Sequence, residues 1–133
     1  MATVVVDTCV VSFVFKRDSR AELYRPHLEG NLLVISFMTL AELYRWSLER
    51  NWGESRRAAL EEHLRNYVVY PVNRALCQQW AKTTAQAASS GNPIEVDDAW
   101  TAATALLHDI PLVSNNRRHF ENIQELTLWS EAP

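Results

Sequence analysis

The chain lacks any long hydrophobic run. Its longest uninterrupted apolar stretches reach about four residues, as in Leu32–Ile35, far below the ~18 that a bilayer span requires. The N-terminus, Met1-Ala2-Thr3-Val4-Val5-Val6-Asp7, has no basic region, and Asp7 interrupts any secretory-signal pattern. No membrane association and a cytoplasmic location are therefore expected. Glycine and proline are scarce, with 3 and 5 copies, which excludes collagen-like and low-complexity classes. Cysteine is scarce too: Cys9 and Cys77 make no CxxC, and a reduced pair is the expectation. The four histidines, His27, His63, His108 and His119, have neither HExxH nor HxxxH spacing, so a zinc enzyme is disfavoured. A large excess of positive charge is also missing. Thirteen basic against 16 acidic residues leave a net charge of −3, so any nucleic acid must be held by a local patch or through metal ions.

What remains is ordinary for a globular protein: 133 residues, 47% hydrophobic and 22% charged. That length suits a single domain over residues 1–133. Short apolar runs alternate with amphipathic stretches. Strands are expected at Thr3–Val6, Leu32–Ile35, Val68–Val72 (an edge strand, because it carries Pro71), Pro111–Val113 and Leu126–Trp129. Helices are expected from a capping box at Ser19–Glu22, with Pro26 ending or kinking that helix, and from a second box at Thr39–Glu42 running to about Asn51. Further helices are expected over Glu54–Tyr67, from Asn73 as cap to about Ser89, from Asp97-Asp98 to His108, and over Arg117–Asn122. Strands alternating with helices indicate a parallel α/β sheet. The continuous apolar runs suit strands covered on both faces.

In such sheets ligands bind beyond the carboxyl ends of the strands. There the sequence places Asp7, Ser36 with Glu42 shortly after, Asp98, and Ser114-Asn115-Asn116. Three carboxylates and an amide at one edge repel one another unless a cation neutralises them. Oxygen ligands of this kind suit Mg²⁺ or Mn²⁺. No P-loop, GxGxxG or Ser-His-Asp order is present. The chemistry indicated is metal-assisted attack of water on a phosphodiester. Each member also has a structural role open to it: Asp7 in a turn, Glu42 inside a capping box, Asp98 or Asp97 as an N-cap, and the two asparagines as turn residues.

Four segments together carry a resemblance: Val4-Val5-Val6-Asp7-Thr8; Ile35-Ser36-x-x-Thr39-x-Ala41-Glu42-Leu43; Asp98-Ala99-Trp100-x-Ala102-Ala103-x-Ala105-Leu106; and Pro111-Leu112-Val113-Ser114-Asn115-Asn116-x-x-His119-Phe120. In this order, from about Thr3 to Trp129, the chain resembles PIN-domain proteins, specifically the VapC toxins of toxin–antitoxin pairs. The resemblance implies a PIN-like three-layer α/β/α fold with a mainly parallel central sheet, and Mg²⁺- or Mn²⁺-dependent endoribonuclease activity leaving 5′-phosphate ends. It implies metal-binding and catalytic roles for Asp7, Glu42 and Asp98, with Asp98 preferred over Asp97 because it directly precedes Ala-Trp. Asn116 takes the fourth catalytic position, often an acid in the family. His119 stands where some relatives carry a carboxylate, and Cys9 where Asn or Ser is usual. Thr8 and Ser114 are expected to orient the acids, and Lys16, Arg17, Arg117 and Arg118 to hold RNA. The partners implied are an RNA substrate (tRNA or rRNA), a cognate antitoxin and a second copy of the chain. Two other readings compete. One is a catalytically degenerate PIN domain that only binds RNA or protein, which loss of any of the three acids would favour. The other is a phosphoacceptor receiver domain, which needs a lysine where this chain has Asn115-Asn116.

Overall fold

The computed structural model describes residues 1–133. Five strands, β1 (Thr3–Val6), β2 (Leu32–Ser36), β3 (Val68–Tyr70), β4 (Leu112–Val113) and β5 (Leu128–Trp129), form one all-parallel sheet in the order β3-β2-β1-β4-β5. Seven helices connect and cover it: α1 (Thr8–Lys16), α2 (Ala21–Leu28), α3 (Phe37–Glu49), α4 (Glu54–Leu64), α5 (Arg74–Ser89), α6 (Val96–His108) and α7 (Arg117–Phe120). This is the three-layer α/β/α arrangement that the sequence implies.

The central strand shows why the sheet is covered twice. Successive side chains on a strand point to opposite faces. Val4 and Val6 join a core with Val10, Val11, Phe13, Leu43, Leu60 and Leu64 on one face. Val5 joins Val34, Ala102, Ala105, Leu112 and Phe120 on the other. All three valines of β1 are fully buried. The alanine-rich stripe of α6 lets that helix lie close against the sheet. From β1 the chain builds outward through β2 and β3, then crosses to β4 and β5 on the opposite side. The reversal opens a crevice beyond the carboxyl ends of β1 and β4, where ligands bind in open α/β sheets.

Several local expectations need correction. Helix α1 has no counterpart among the expected elements. Its Cys-Val-Val-Ser-Phe-Val-Phe run is rich in β-branched and aromatic residues, poor helix formers, but Asp7 caps it and Val10, Val11 and Phe13 bury its inner face. The expected capping box at Ser19–Glu22 does not form: α2 starts at Ala21, and its N-cap Arg20 makes no side-chain capping bond. The box at Thr39–Glu42 is displaced: Ser36 is the N-cap, its Oγ accepting from Thr39 N at 3.1 Å, and α3 starts at Phe37. Asp97 and Asp98 lie in the first turn of α6, whose cap is Glu95. Asn73 caps α5 as expected, accepting from Leu76 N at 2.8 Å. Cys9 and Cys77 are both free, and no helix is long and apolar enough to cross a membrane.

Candidate active site

Asp7 emerges from β1 at the crevice and is pinned by three donors. Thr8 N donates to its Oδ1 at 2.9 Å, Ser114 Oγ to its Oδ2 at 2.7 Å, and Cys9 Sγ to Oδ2 at 3.5 Å. Its side chain is buried, with 5% of the residue exposed. Ser114 follows β4 and also accepts from Asn116 N at 3.0 Å, so the β4–α7 turn and the carboxylate are locked together. Burial raises the Asp7 carboxyl above its ordinary value against the opposing effect of these hydrogen bonds.

Glu42 reaches the same cleft from α3. Thr8 Oγ1 donates to Glu42 Oε1 at 2.8 Å and lies 2.9 Å from Thr39 Oγ1. Ser36 Oγ contacts Thr39 Oγ1 at 3.3 Å and Thr101 Oγ1 at 3.1 Å. This chain of buried hydroxyls fastens α1, α3 and α6 at the point where their acids converge. Because Ser36 caps the helix, Glu42 has no capping duty and its carboxylate is directed to the cleft. Burial, followed by the Asp97 and Asp7 charges, pushes Glu42 up to about 7, while the Thr8 hydroxyl acts against the rise.

Asp98 enters from the first turn of α6, with 13% of its side chain exposed. Burial, then repulsion from Asp7 and Asp97, pushes its carboxyl up to about 6. His119 Nδ1 sits 2.8 Å from Asp98 Oδ2.

The cleft these residues enclose has a volume of about 390 Å³. Its lining holds five carboxylates (Asp7, Glu42, Glu95, Asp97 and Asp98) and no lysine or arginine. Such uncompensated negative charge is costly unless a cation enters. No three acid, histidine or cysteine side chains close into a ready-made ligand cage. An all-oxygen, open set of this kind fits Mg²⁺ or Mn²⁺, which keep several waters, and not the closed tetrahedral coordination of structural zinc.

The structure thus brings Asp7, Thr8, Glu42, Asp98 and Asn116 to one cleft, with Ser114 buried directly behind Asp7. The two asparagines separate cleanly. Asn115 Oδ1 accepts from the hydroxyl of fully buried Tyr24, whereas Asn116 makes no capping bond and lines the cleft. Sequence reasoning set Asp97 aside, and it did not single out Glu95 or Trp46; all three line the cleft. The Asp97-Asp98 doublet at a helix start was the available signal for the first. Among the cations, Arg118 borders Asp98 and His119 in an adjoining hollow. Arg117 is turned away, donating to the Ser130 and Ala132 carbonyls at 3.0 and 3.1 Å. Lys16 lies beside Trp46, its Nζ 5.9 Å from the ring centre. Arg17 is exposed at the left-handed C-cap of α1.

Comparison with known proteins defines the class first. The PIN domain family matches residues 4–126. Ribonuclease VapC1 of Haemophilus influenzae (strain R2866) is 30% identical over 129 residues, 95% of each chain. The tRNA(fMet)-specific endonuclease VapC of Shigella flexneri is 26% identical over 132 residues, 98% of this chain and all of the relative. The structure of VapBC-1 from nontypeable Haemophilus influenzae superposes with a TM-score of 0.80 at 25% identity, covering 98% of both chains. VapBC2 from Rickettsia felis, bound to a promoter DNA fragment, gives 0.84 at 20% identity over 96% of this chain and 98% of that one. The chain belongs to the PIN-domain family, in its VapC branch.

Proposed function

We propose that this protein is a divalent-metal-dependent endoribonuclease acting as the toxin of a toxin–antitoxin pair. The observation that carries the reading is the cleft in which Asp7, Glu42 and Asp98 meet from β1, α3 and α6 with no lysine or arginine to balance them. Relatives bearing the names ribonuclease and tRNA(fMet)-specific endonuclease support the reaction class. Solved VapBC assemblies support an antitoxin partner.

Asp7, Glu42 and Asp98 would hold Mg²⁺ or Mn²⁺, and Asn116 adds an amide oxygen at the fourth position. When bound, such an ion supplies Lewis acidity at the phosphodiester and acidifies water. Thr8 and Ser114 orient the Glu42 and Asp7 carboxylates through the 2.8 and 2.7 Å hydrogen bonds, the role that outer partners play around metal-binding acids. His119 Nδ1 contacts the Asp98 carboxylate at 2.8 Å. Water attacks phosphorus in line, the bond to the 3′ oxygen breaks, and the phosphate stays on the 5′ end of the downstream fragment. Cleavage of tRNA or rRNA in this way would inhibit translation, a role that belongs in the cytoplasm. A cognate antitoxin and a second copy of the chain complete the proposed partners.

The test is to express the protein briefly without its antitoxin and sequence the newly formed 5′-phosphate ends. Ends concentrated at a few sites in tRNA or rRNA, absent with Asp98→Asn, support the proposal. An unchanged end profile in the parent, with RNA binding retained, would instead mark a PIN domain that binds without cutting.

A further inference from the structure

Three cations gather on aromatic rings immediately beside the acid cleft. Trp46 lines that cleft. Its ring also carries Lys16 Nζ at 5.9 Å and the Arg50 guanidinium at 4.8 Å. The Arg56 guanidinium lies 4.4 Å from the centre of Trp52 and 5.4 Å from that of Phe15, and these two rings are 5.6 Å apart. The ends of α1 and α3 and the start of α4 therefore converge on one cation–aromatic strip. Arg20, Arg25, Arg45 and Arg65 each pair with a carboxylate within 4.0 Å, and Lys16, Arg50 and Arg56 pair with none. Burial first, then the charges of Arg50 and Arg56, pull the Lys16 ammonium below its ordinary value, with the Asp18 carboxylate acting against them.

We infer that Lys16, Arg50 and Arg56, seated on Trp46, Trp52 and Phe15, form the surface that takes the single-stranded flank of an RNA substrate beside the scissile phosphate. The inference rests on the endoribonuclease reading and adds where the strand runs. A cleft lined by five carboxylates repels a phosphodiester, so the substrate has to be anchored from outside it. The strip starts at the cleft through Trp46, and its charge complements a polyanion although the whole chain is at −3. Guanidinium groups seated over indole rings offer N–H donors to phosphates, and guanidinium and aromatic planes alike can stack on a base. Alternation of stacking surface and positive charge is the pattern of single-strand binding. An acidic peptide would use the charges but not the stacking planes.

The test measures binding of a fluorescently labelled, short single-stranded RNA of mixed sequence by anisotropy across a salt series, without added metal. The full-length Asp98→Asn protein serves as background. Adding Arg50→Ala and Arg56→Ala should weaken binding roughly tenfold near physiological salt and reduce the salt slope by about 1.4, since each phosphate contact on a single strand contributes about 0.7. The control pair Arg74→Ala and Lys82→Ala, on α5, should change neither. Unfolding midpoints of all variants are measured alongside, and RNA affinity is compared only where they agree. If Arg50 and Arg56 behave as the control pair does, the inference is overturned. It is also overturned if RNA affinity holds while affinity for an oligoglutamate peptide falls, which would make the strip a protein-docking surface. Cleavage by the parent protein is scored separately. Loss of binding in the strip variants with no cleavage by the parent would keep the strip and remove the enzyme. Cleavage with unaltered binding would do the reverse.

Discussion

Replacing Asp98 by Asn should make the metal-free protein more stable at alkaline pH. Burial and the neighbouring acids push the Asp98 carboxyl up to about 6, against about 3.9 in an unfolded chain. About two units at about 1.4 kcal/mol each bound the cost of ionising it in the fold at about 3 kcal/mol. Solvent reaches part of this cleft, and screening reduces the figure to about 1–2 kcal/mol. The sign follows from which state binds the proton more tightly. A carboxyl whose folded value is raised destabilises the fold above that value, and the penalty fades as pH falls through about 6 toward 4. At pH ~8 the Asp98→Asn protein should therefore melt about 4–7 °C above the parent for a domain of this size. At pH ~4.5 the two should nearly coincide. The amide oxygen that replaces the carboxylate can still accept from His119, so little is lost in exchange. Added Mn²⁺ should reverse the order. A ligand that binds only the folded state at about a hundred times its Kd contributes about 2.7 kcal/mol, or about 10 °C here, and the variant should lose most of that gain. Calorimetric melts at both pH values, with and without Mn²⁺, decide the matter. A variant that melts below the parent at pH ~8, or that gains as much from Mn²⁺, would refute the electrostatic reasoning.

Other outcomes follow from the same geometry. Ser36→Ala should cost about 1–2 kcal/mol, because it removes the α3 cap and leaves the buried Thr101 hydroxyl without its partner; Glu42→Gln, freed of any capping duty, should cost nothing measurable in the same denaturant titration. Ser114→Ala should raise the Asp7 carboxyl further and lower ribonuclease rate about 10–100-fold, with a smaller loss for Ser114→Thr; rates equal to the parent's would remove Ser114 from the site. Asp97→Asn should leave cleavage in place and move its acid limb to lower pH, since Asp97 is the foremost charge raising Glu42 toward about 7. A thiol reagent at pH ~8 should modify exposed Cys77 quickly and Cys9 slowly, because burial and Asp7 push the Cys9 thiol up to about 12; equal rates would contradict the packing around Asp7.

The parallel sheet was legible because β1, β2 and β4 are short apolar runs that end in polar residues at one edge. Helix α1 was not, since its Val and Phe residues favour strands locally and its helical form depends on the Asp7 cap and on burial against the sheet. The cap of α3 lies at Ser36, ahead of the residues that fit the capping-box pattern, because chain direction at the β2 exit decides which oxygen reaches the free N–H groups; α2 starts without a side-chain cap although its sequence fits the pattern. Asp7, Glu42 and Asp98 were found by pattern, and the cleft joins them. Asp97 and Trp46 were left out because their place depends on the approach of α6 and α3 across the sheet edge, which no local spacing encodes. The same holds for Arg117, adjacent to Arg118 in sequence, which the C-terminal carbonyls of Ser130 and Ala132 draw away.

A cleavage assay with purified protein and a total tRNA and rRNA pool, run with Mn²⁺, with EDTA, and with Asp7→Asn and Asp98→Asn in place of the parent, tests the role of the acid cleft most directly. Discrete fragments bearing 5′-phosphate and 3′-hydroxyl ends should appear only for the parent with Mn²⁺. Cleavage that persists in EDTA, or that either variant performs at the parent's rate, would contradict the assignment of these acids to a metal-dependent nuclease site.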